Sequence, residues 1–200
     1  DNVLGGRGQA FAVAQTRRLH FAKHLIDDTR LAMTDIALAS GFGSLRRFND
    51  AFRHTYGRAP RDLRRGQQGL GGKREALRMR LSYRPPYDWP ALRDFLATRA
   101  IPGVEQVEDD RYARSVEVAG KAGWIEVRPV RGTTALELAV HDLGPERLFS
   151  VVSKVRQVFD LAADPADVRT VLRKYPLLMP LLRGRPGLRA CGGRGRRRPR

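Results

Sequence analysis

Helical spacing of apolar positions dominates the first third of the chain. The predicted helices cover residues 14–27, 34–40 and 45–56, and a short closing turn covers residues 61–64. In the first helix the apolar residues recur every three or four positions, at Leu19, Ala22, Leu25 and Ile26. Residues 1–65 are therefore predicted to form an all-helical domain. Residues 1–10 resemble the broken edge of a fragment, and the chain does not begin with Met.

Capping residues mark where the second and third helices begin and end. Thr34 is the predicted N-cap of the second helix, and this helix is predicted to end at Gly41. Ser44 is the predicted N-cap of the third helix, and Gly57 stands where a helix C-cap glycine is expected. The apolar residues of the third helix are spaced four apart, at Phe48, Phe52 and Tyr56. Two short helices joined by a glycine-containing turn are typical of a helix-turn-helix.

The pattern changes from helical spacing to alternation after a glycine-rich segment. Residues 66–75 are predicted to be a flexible linker, since residues 66–74 hold four glycines. Strands are predicted at residues 76–83, 104–108, 112–118, 123–130 and 135–141, with turns at 108–110, 120–122 and 131–132. Helices are predicted at residues 89–98, 145–159 and 166–174. The hairpin-length spacing of the strands indicates an antiparallel sheet with flanking helices, so the fold class is α+β.

Charge is concentrated at the two ends of the chain. The formal net charge is +17. Residues 1–75 hold 14 Lys and Arg against 7 Asp and Glu, residues 76–182 hold 16 against 14, and residues 183–200 hold 8 arginines and no acid. Such a surplus favours a polyanionic partner but does not separate DNA, RNA and an anionic membrane.

Several classes of site are excluded by composition. Cys191 is the single cysteine, so an intramolecular disulfide and a cysteine metal cluster within one chain are both ruled out. No apolar run approaches the roughly 20 residues that span a bilayer, and no signal peptide is evident. We expect no cofactor, no metal, no membrane partner and a cytoplasmic location.

The predicted helix-turn-helix carries the residues expected to contact DNA. These are Ser44, Leu45, Arg46, Arg47, Asn49, Asp50 and Arg53. Because the second helix of such a motif lies in the major groove, Arg46 and Arg47 are expected to read bases, with a solvated helix face as the alternative. Arg53 lies farther along and is expected to touch phosphate or nothing. Asp50 either orients a neighbouring arginine or accepts a hydrogen bond from cytosine.

The helical segment resembles the AraC family. The resemblance covers about 50 residues and is carried by Arg18, Leu19, Ala22, Leu25, Ile26, Ile36, Ala37, Gly41, Phe42, Ser44, Phe48, Phe52, Gly57 and Pro60 in their order and spacing. It implies two helix-turn-helices on either side of a long linking helix. Residues 14–27 correspond to that linking helix, so only the second helix-turn-helix is expected to be complete.

The segment that follows resembles the N-terminal domain of the AlkA family of 3-methyladenine DNA glycosylases over residues 76–189. The resemblance is carried by residues 85–89, 95–100, 104–105, 112–115, 159–161, 164–165 and 185–189. It implies a TATA-binding-protein-like antiparallel sheet in residues 76–163. Residues 164–189 are then expected to open a truncated helical domain, which supplies the catalytic aspartate in the family. Residues 190–200 are expected to be a basic disordered tail or the product of a frameshift.

Structural roles are predicted for the residues in this segment that invite a catalytic interpretation. Tyr87, Asp88 and Trp89 are expected to be structural, with Asp88 as a helix N-cap. Trp124 is expected in the core of the sheet. His141 and Asp142 form either a dyad or, with no nucleophile nearby, the end of a strand. No phosphate-binding loop, zinc motif or Ser-His-Asp pattern is present.

The two resemblances in this order imply a regulator of the Ada type fused to an AlkA-type glycosylase. The expected function is sequence-specific binding of double-stranded DNA and transcription regulation coupled to repair of alkylated DNA, with RNA polymerase as a candidate partner. One alternative is a glycosylase that excises alkylated bases, whose catalytic domain is missing here. Another is a plain AraC-type regulator whose second domain binds a small ligand. We expect this fragment to be inactive as an enzyme.

Overall fold

The computed structural model describes residues 3–29, 31–64 and 76–192. The chain folds into two compact units. One contains Asp1–Met79 together with Leu143–Phe149, and the other contains Arg80–Asp142 together with Ser150–Arg200. Leu77–Ser82 and Leu148–Val158 each contribute residues to both units, so the domain limits named from the sequence remain predictions. The linker predicted at residues 66–75 lies outside the described residues.

Four helices form the first unit. They are α1 (Val3–Asp28), α2 (Met33–Ala39), α3 (Leu45–Tyr56) and α4 (Pro60–Leu63). Their core is made of side chains that are at most 1% exposed: Leu19, Ala22, Leu25, Ile26, Ile36, Ala37, Ala39, Phe48 and Phe52. The periodic apolar positions of the sequence therefore do face one another. The ring centroids of Phe42 and Phe48 lie 5.3 Å apart, and those of Phe48 and Phe52 lie 5.5 Å apart.

Two expectations for the helices are corrected. The first helix begins at Val3 rather than near residue 14, so residues 3–13 are its opening turns. Thr34 is not an N-cap, because the helix already begins at Met33 and Ala32 takes the capping position without a side-chain hydrogen bond. The bounds predicted for α3 are confirmed.

A five-stranded antiparallel sheet organises the second half of the chain. Its strands are β1 (Leu77–Ser82), β2 (Glu105–Val107), β3 (Tyr112–Val118), β4 (Lys121–Pro129) and β5 (Ala135–His141). Their order across the sheet is β1-β5-β4-β3-β2, and the pairs β2–β3, β3–β4 and β4–β5 are antiparallel. The predicted α+β fold is confirmed.

Four helices are described in the second half of the chain, of which the first three were predicted from periodicity and the last was not. They are α5 (Trp89–Ala97), α6 (Leu148–Val158), α7 (Pro165–Leu172) and α8 (Met179–Gly184), with 3-10 turns at Pro145–Arg147 and Pro176–Leu178. The apolar face predicted for α6 is buried, at Leu148, Val151, Val152, Val155 and Phe159. Phe159 lies in the core of the second unit, where its ring is 6.0 Å from that of Trp89 and 5.5 Å from that of Tyr112.

The hairpin between β3 and β4 turns earlier than predicted. Its two turn residues are Ala119 and Gly120, with φ of 51° and 73°, and Lys121 and Ala122 already belong to β4. Positive φ at both central residues matches the twist of a two-residue hairpin turn, which glycine adopts at little cost. The shift moves the turn but leaves the antiparallel pairing intact.

Trp124 does not lie in the core of the sheet, contrary to expectation. Side chains alternate along a strand, and the core side of β4 is occupied by the buried Ile125 and Val127. Trp124 therefore projects from the opposite face, where it is half-buried and stacks on His141 with ring centroids 3.6 Å apart. His141 is thus the end of a strand paired with Trp124, and Asp142 follows it with φ of 60°.

Candidate nucleic-acid interface

Helix α3 is the centre of the candidate interface, and its first turn is fixed by Ser44. The Ser44 backbone is extended, and its hydroxyl oxygen accepts a hydrogen bond from the Arg47 N–H at 3.2 Å. This bond satisfies one of the amide donors that have no partner at the start of a helix. Ser44 therefore acts within the protein as a cap, and it sets the direction in which the following side chains project.

The turn before α3 requires glycine. Gly41 has a φ of 78°, in the left-handed region, and its N–H donates to the Leu38 carbonyl at 2.9 Å. The Phe42 N–H donates to the Ala37 carbonyl, also at 2.9 Å. These bonds close α2 within two residues, so α3 leaves the turn at a fixed angle to α2.

The two sides of α3 differ in exposure. Phe48 and Phe52 are fully buried against α1 and α2. Among the residues predicted to contact DNA, Ser44, Arg46, Arg47, Asp50 and Arg53 are exposed, whereas Leu45 and Asn49 are half-buried. The structure thus brings all the predicted contact residues onto one short helix and its cap. It also supports the interpretation of both phenylalanines as core residues rather than platforms for stacked bases.

The arginines on this face have free guanidinium groups. Arg46, Arg47 and Arg53 form no ion pair with any residue in the described part of the chain. Asp50 is the single acid among the predicted contact residues, and it also forms no ion pair with a described residue. A face with three cations and one anion attracts phosphate, and planar guanidinium groups match both phosphate oxygens and the guanine edge.

Two carboxylates of the second unit cap helices. Asp88 caps α5, as predicted, by accepting a hydrogen bond from the Ala91 N–H at 3.0 Å. Asp164 caps α7 and pairs with Arg84. The hydrogen bond from Ala166, together with Arg84, holds the pKa of Asp164 below its usual value.

A buried carboxylate lies at the edge of the sheet. The side chain of Glu105 is fully buried, and it accepts hydrogen bonds from the Tyr112 hydroxyl at 2.7 Å and from Arg114 at 3.0 Å. The Ile101 N–H donates to its other oxygen at 3.0 Å. Burial, and then the bond to Glu105, raise the pKa of Tyr112. This cluster ties β2 to β3 and leaves the carboxylate without access to solvent.

No metal centre is found in the described residues. No group of three or more His, Cys, Asp or Glu side chains there is placed to hold a metal ion. An open cleft of about 500 Å³ lies along α5. Its two acids are Asp88, the cap, and Asp94, which pairs with Arg93 at 2.8 Å. Within the same described residues, no helix combines the length and the apolar character needed to cross a bilayer.

The fold and the site together define a two-part class of protein, a helix-turn-helix unit followed by a five-stranded antiparallel α+β unit. Residues 78–194 match the model of the AlkA N-terminal domain, and the chain belongs to this family. Residues 9–66 match a helix-turn-helix domain, which is of the AraC type. Both resemblances inferred from the sequence are therefore confirmed.

Three relatives illustrate the match. The chain is 29% identical over 182 residues to the "Probable bifunctional transcriptional activator/DNA repair enzyme AlkA" of Mycobacterium tuberculosis, covering 89% of this chain and 36% of the relative. It is 36% identical over 115 residues to DNA-3-methyladenine glycosylase 2 of Escherichia coli, covering 56% of this chain and 38% of the relative. It is 38% identical over 53 residues to the HTH-type transcriptional activator RhaS of Escherichia coli, covering 26% of this chain and 19% of that protein. The chain thus spans little more than a third of the two AlkA relatives.

Proposed function

We propose that this chain binds double-stranded DNA with a sequence preference through α3, as the DNA-reading part of a regulator of the response to alkylation damage. The observation that carries the proposal is the pair of exposed guanidinium groups of Arg46 and Arg47 on the capped first turn of α3, neither of which pairs with a described residue. In a helix-turn-helix these N-terminal positions of the second helix face the base edges.

The link to repair is supported by the relatives. The Mycobacterium tuberculosis relative is named both as a transcriptional activator and as a DNA repair enzyme, and its similarity covers both units of this chain. We infer the same coupling here, with a cytoplasmic location. RNA polymerase is the partner expected of an activator that binds next to a promoter.

Replacing Arg46 or Arg47 by alanine should weaken binding to a preferred duplex by about 1–3 kcal/mol, because a guanidinium that pairs with guanine discriminates among bases by that amount. Arg53→Ala should instead lower affinity by the same factor for every sequence. The measurement is fluorescence anisotropy with a duplex selected by the full chain from a random pool, compared with a scrambled duplex.

The matched control is Arg131→Ala, which removes an exposed arginine from the turn between β4 and β5. It should leave both affinities unchanged. If neither Arg46→Ala nor Arg47→Ala alters the ratio of the two affinities, α3 is not the reading helix.

A second candidate function is excision of alkylated bases, which membership of the AlkA N-terminal domain family favours. Cleavage of the glycosidic bond requires a carboxylate beside a flipped nucleotide to stabilise the charge that develops on the sugar. In the second unit Asp88 and Asp164 cap helices, Glu105 is buried, and other acids pair with arginines. These roles leave excision with less support than DNA binding through α3.

We predict that the 200-residue chain releases no free 3-methyladenine from alkylated duplex DNA above a heat-denatured sample of the same chain. The physical reason is that the two acids lining the open cleft along α5 have other roles, since Asp88 caps that helix and Asp94 pairs with Arg93. Release that disappears in Asp142→Asn or Asp88→Asn would identify a catalytic acid and contradict the structural roles given above.

A further inference from the structure

Arg18 on α1 covers the turn that leads into α3. A β-carbon built on Gly41 would lie 3.3 Å from Arg18 Nε, 3.6 Å from Cζ and 3.7 Å from Cδ. The end of the Arg18 side chain, from Cδ to the guanidinium, thus lies over the space that a side chain at position 41 would fill. The glycine leaves room for this contact, because any side chain at position 41 would meet Arg18 in addition to adopting a strained φ of 78°.

The position of Arg18 is held by the core beneath it. The next residue, Leu19, is 1% exposed and Ala22 is fully buried, so α1 cannot rotate without disrupting the core. Arg18 itself is exposed and forms no hydrogen bond or ion pair with another described residue. Arg17 is also exposed, but it projects about 100° away around the helix axis.

This place in a helix-turn-helix lies next to the DNA backbone. When the N-terminal end of the second helix enters the major groove, the turn before it passes close to a phosphate strand that borders the groove. Contacts to phosphate fix the register and angle of the protein, and base contacts then specify the sequence. A guanidinium fixed on that turn can donate two parallel hydrogen bonds to a phosphate without a large loss of side-chain freedom.

We propose that Arg18 contacts a DNA phosphate and positions α3 in the major groove. The interface then consists of α3 together with one residue of α1 that is distant in sequence. This inference rests on the proposed function, because it assumes that α3 faces DNA. It assigns to Arg18 a contribution to affinity that does not depend on the base sequence.

The test compares Arg18→Ala with Arg17→Ala in the full chain, with the selected and scrambled duplexes as probes. Arg18→Ala should weaken binding to both duplexes by the same factor, and the slope of log affinity against log salt concentration should fall by about 0.9, the value of one phosphate contact. Arg17→Ala should change neither quantity. Arg18→Lys, which keeps the charge, should retain the salt slope.

Folding is followed by thermal unfolding of each variant, and Arg18→Gln replaces Arg18→Ala if the alanine variant does not fold. A lower unfolding midpoint with an unchanged salt slope would mean that Arg18 only supports the turn, which overturns the proposal. An equal effect of Arg17→Ala would also overturn it. If Arg46→Ala and Arg47→Ala change sequence preference while Arg18→Ala has no effect, this inference fails alone. If none of the three variants affects binding, the proposed function fails as well.

Discussion

Phe52→Ala should destabilise the helical unit by about 3–5 kcal/mol, the usual cost of removing a buried aromatic ring and leaving a cavity. The Phe52 side chain is fully buried. Its ring centroid lies 5.5 Å from that of Phe48 and 4.6 Å from that of Tyr56, so both of these rings lose a contact when Phe52 is removed. Since Phe52 belongs to the core of the helical unit, DNA binding should be lost together with the fold of the unit.

The measurement is denaturant unfolding followed by far-ultraviolet circular dichroism, which reports the helices. Both tryptophans of the chain, Trp89 and Trp124, belong to the second unit. Their fluorescence therefore reports unfolding of the second unit, and a loss of helical signal without a change in fluorescence reports unfolding of the first. Leu38→Ala is the matched control, because Leu38 lies on α2 and is 48% exposed. It should change stability by less than about 0.5 kcal/mol. Equal effects of Phe52→Ala and Leu38→Ala would show that the aromatic cluster is not the core of this unit.

Local signals explain which helix bounds could be predicted. The start and end of α3 depend on Ser44 and Gly57, whose capping roles are determined within four residues of each bound, and both were found from the sequence. The start of α1 was missed because Gly5, Gly6 and Gly8 disfavour a helix interior. The helix formed by the residues after position 13 nevertheless continues back through these glycines to Val3.

The faces of the sheet were harder to assign than the strands. Alternation revealed that residues around Trp124 form a strand, but the large apolar ring suggested the core. Which face is buried depends on the pairing partners, and the partner of Trp124 is His141 on β5. Because side chains change face at every residue, the buried Ile125 and Val127 place Trp124 on the other side.

The candidate interface was predictable to the extent that it lies on one helix. Arg46, Arg47 and Arg53 share the exposed side of α3, and helical spacing alone identifies that side. The contact between Arg18 and Gly41 joins residues 23 positions apart, so it arises only when α1 packs beside the turn. For the same reason the partners of Glu105 could not be read from its neighbours in sequence.

The segment that contains Arg189 closes the second unit on itself. Arg189 is only 7% exposed, and its two terminal nitrogens donate to backbone carbonyls of Ala163, at 2.8 Å, and Pro86, at 3.0 Å, and to that of Arg84. The guanidinium carbon also lies 5.0 Å from the centre of the Tyr87 ring.

The backbone on either side of Arg189 is held in the same way. The Asp88 N–H donates to the Gly187 carbonyl at 2.9 Å, and the Ala190 N–H donates to Asp160 at 3.2 Å. A β-carbon on Gly187 would lie 2.7 Å from the Asp88 nitrogen, so the two backbones meet where only glycine fits. One arginine therefore joins the residues before α5, the residues after α6 and the segment after α8.

Arg189→Ala should lower the stability of the second unit by about 3–5 kcal/mol. Three partly buried carbonyls lose a charged donor, and each unsatisfied group costs about 1–3 kcal/mol, partly offset where water enters the space that is left. Arg189→Lys should recover part of the loss, because an ammonium keeps the charge but cannot reproduce the planar fork. Unfolding is followed by tryptophan fluorescence, since Trp89 stacks on Phe159 in the core of this unit.

Arg185→Ala is the control for this prediction. Arg185 lies four residues earlier, is exposed, and its side chain forms no hydrogen bond with another described residue. Its removal should change the free energy of unfolding by less than about 0.5 kcal/mol. If Arg189→Ala and Arg185→Ala unfold at the same denaturant concentration, the three carbonyl contacts contribute nothing net. The segment after α8 would then be held mainly by the backbone contacts of Gly187 and Ala190.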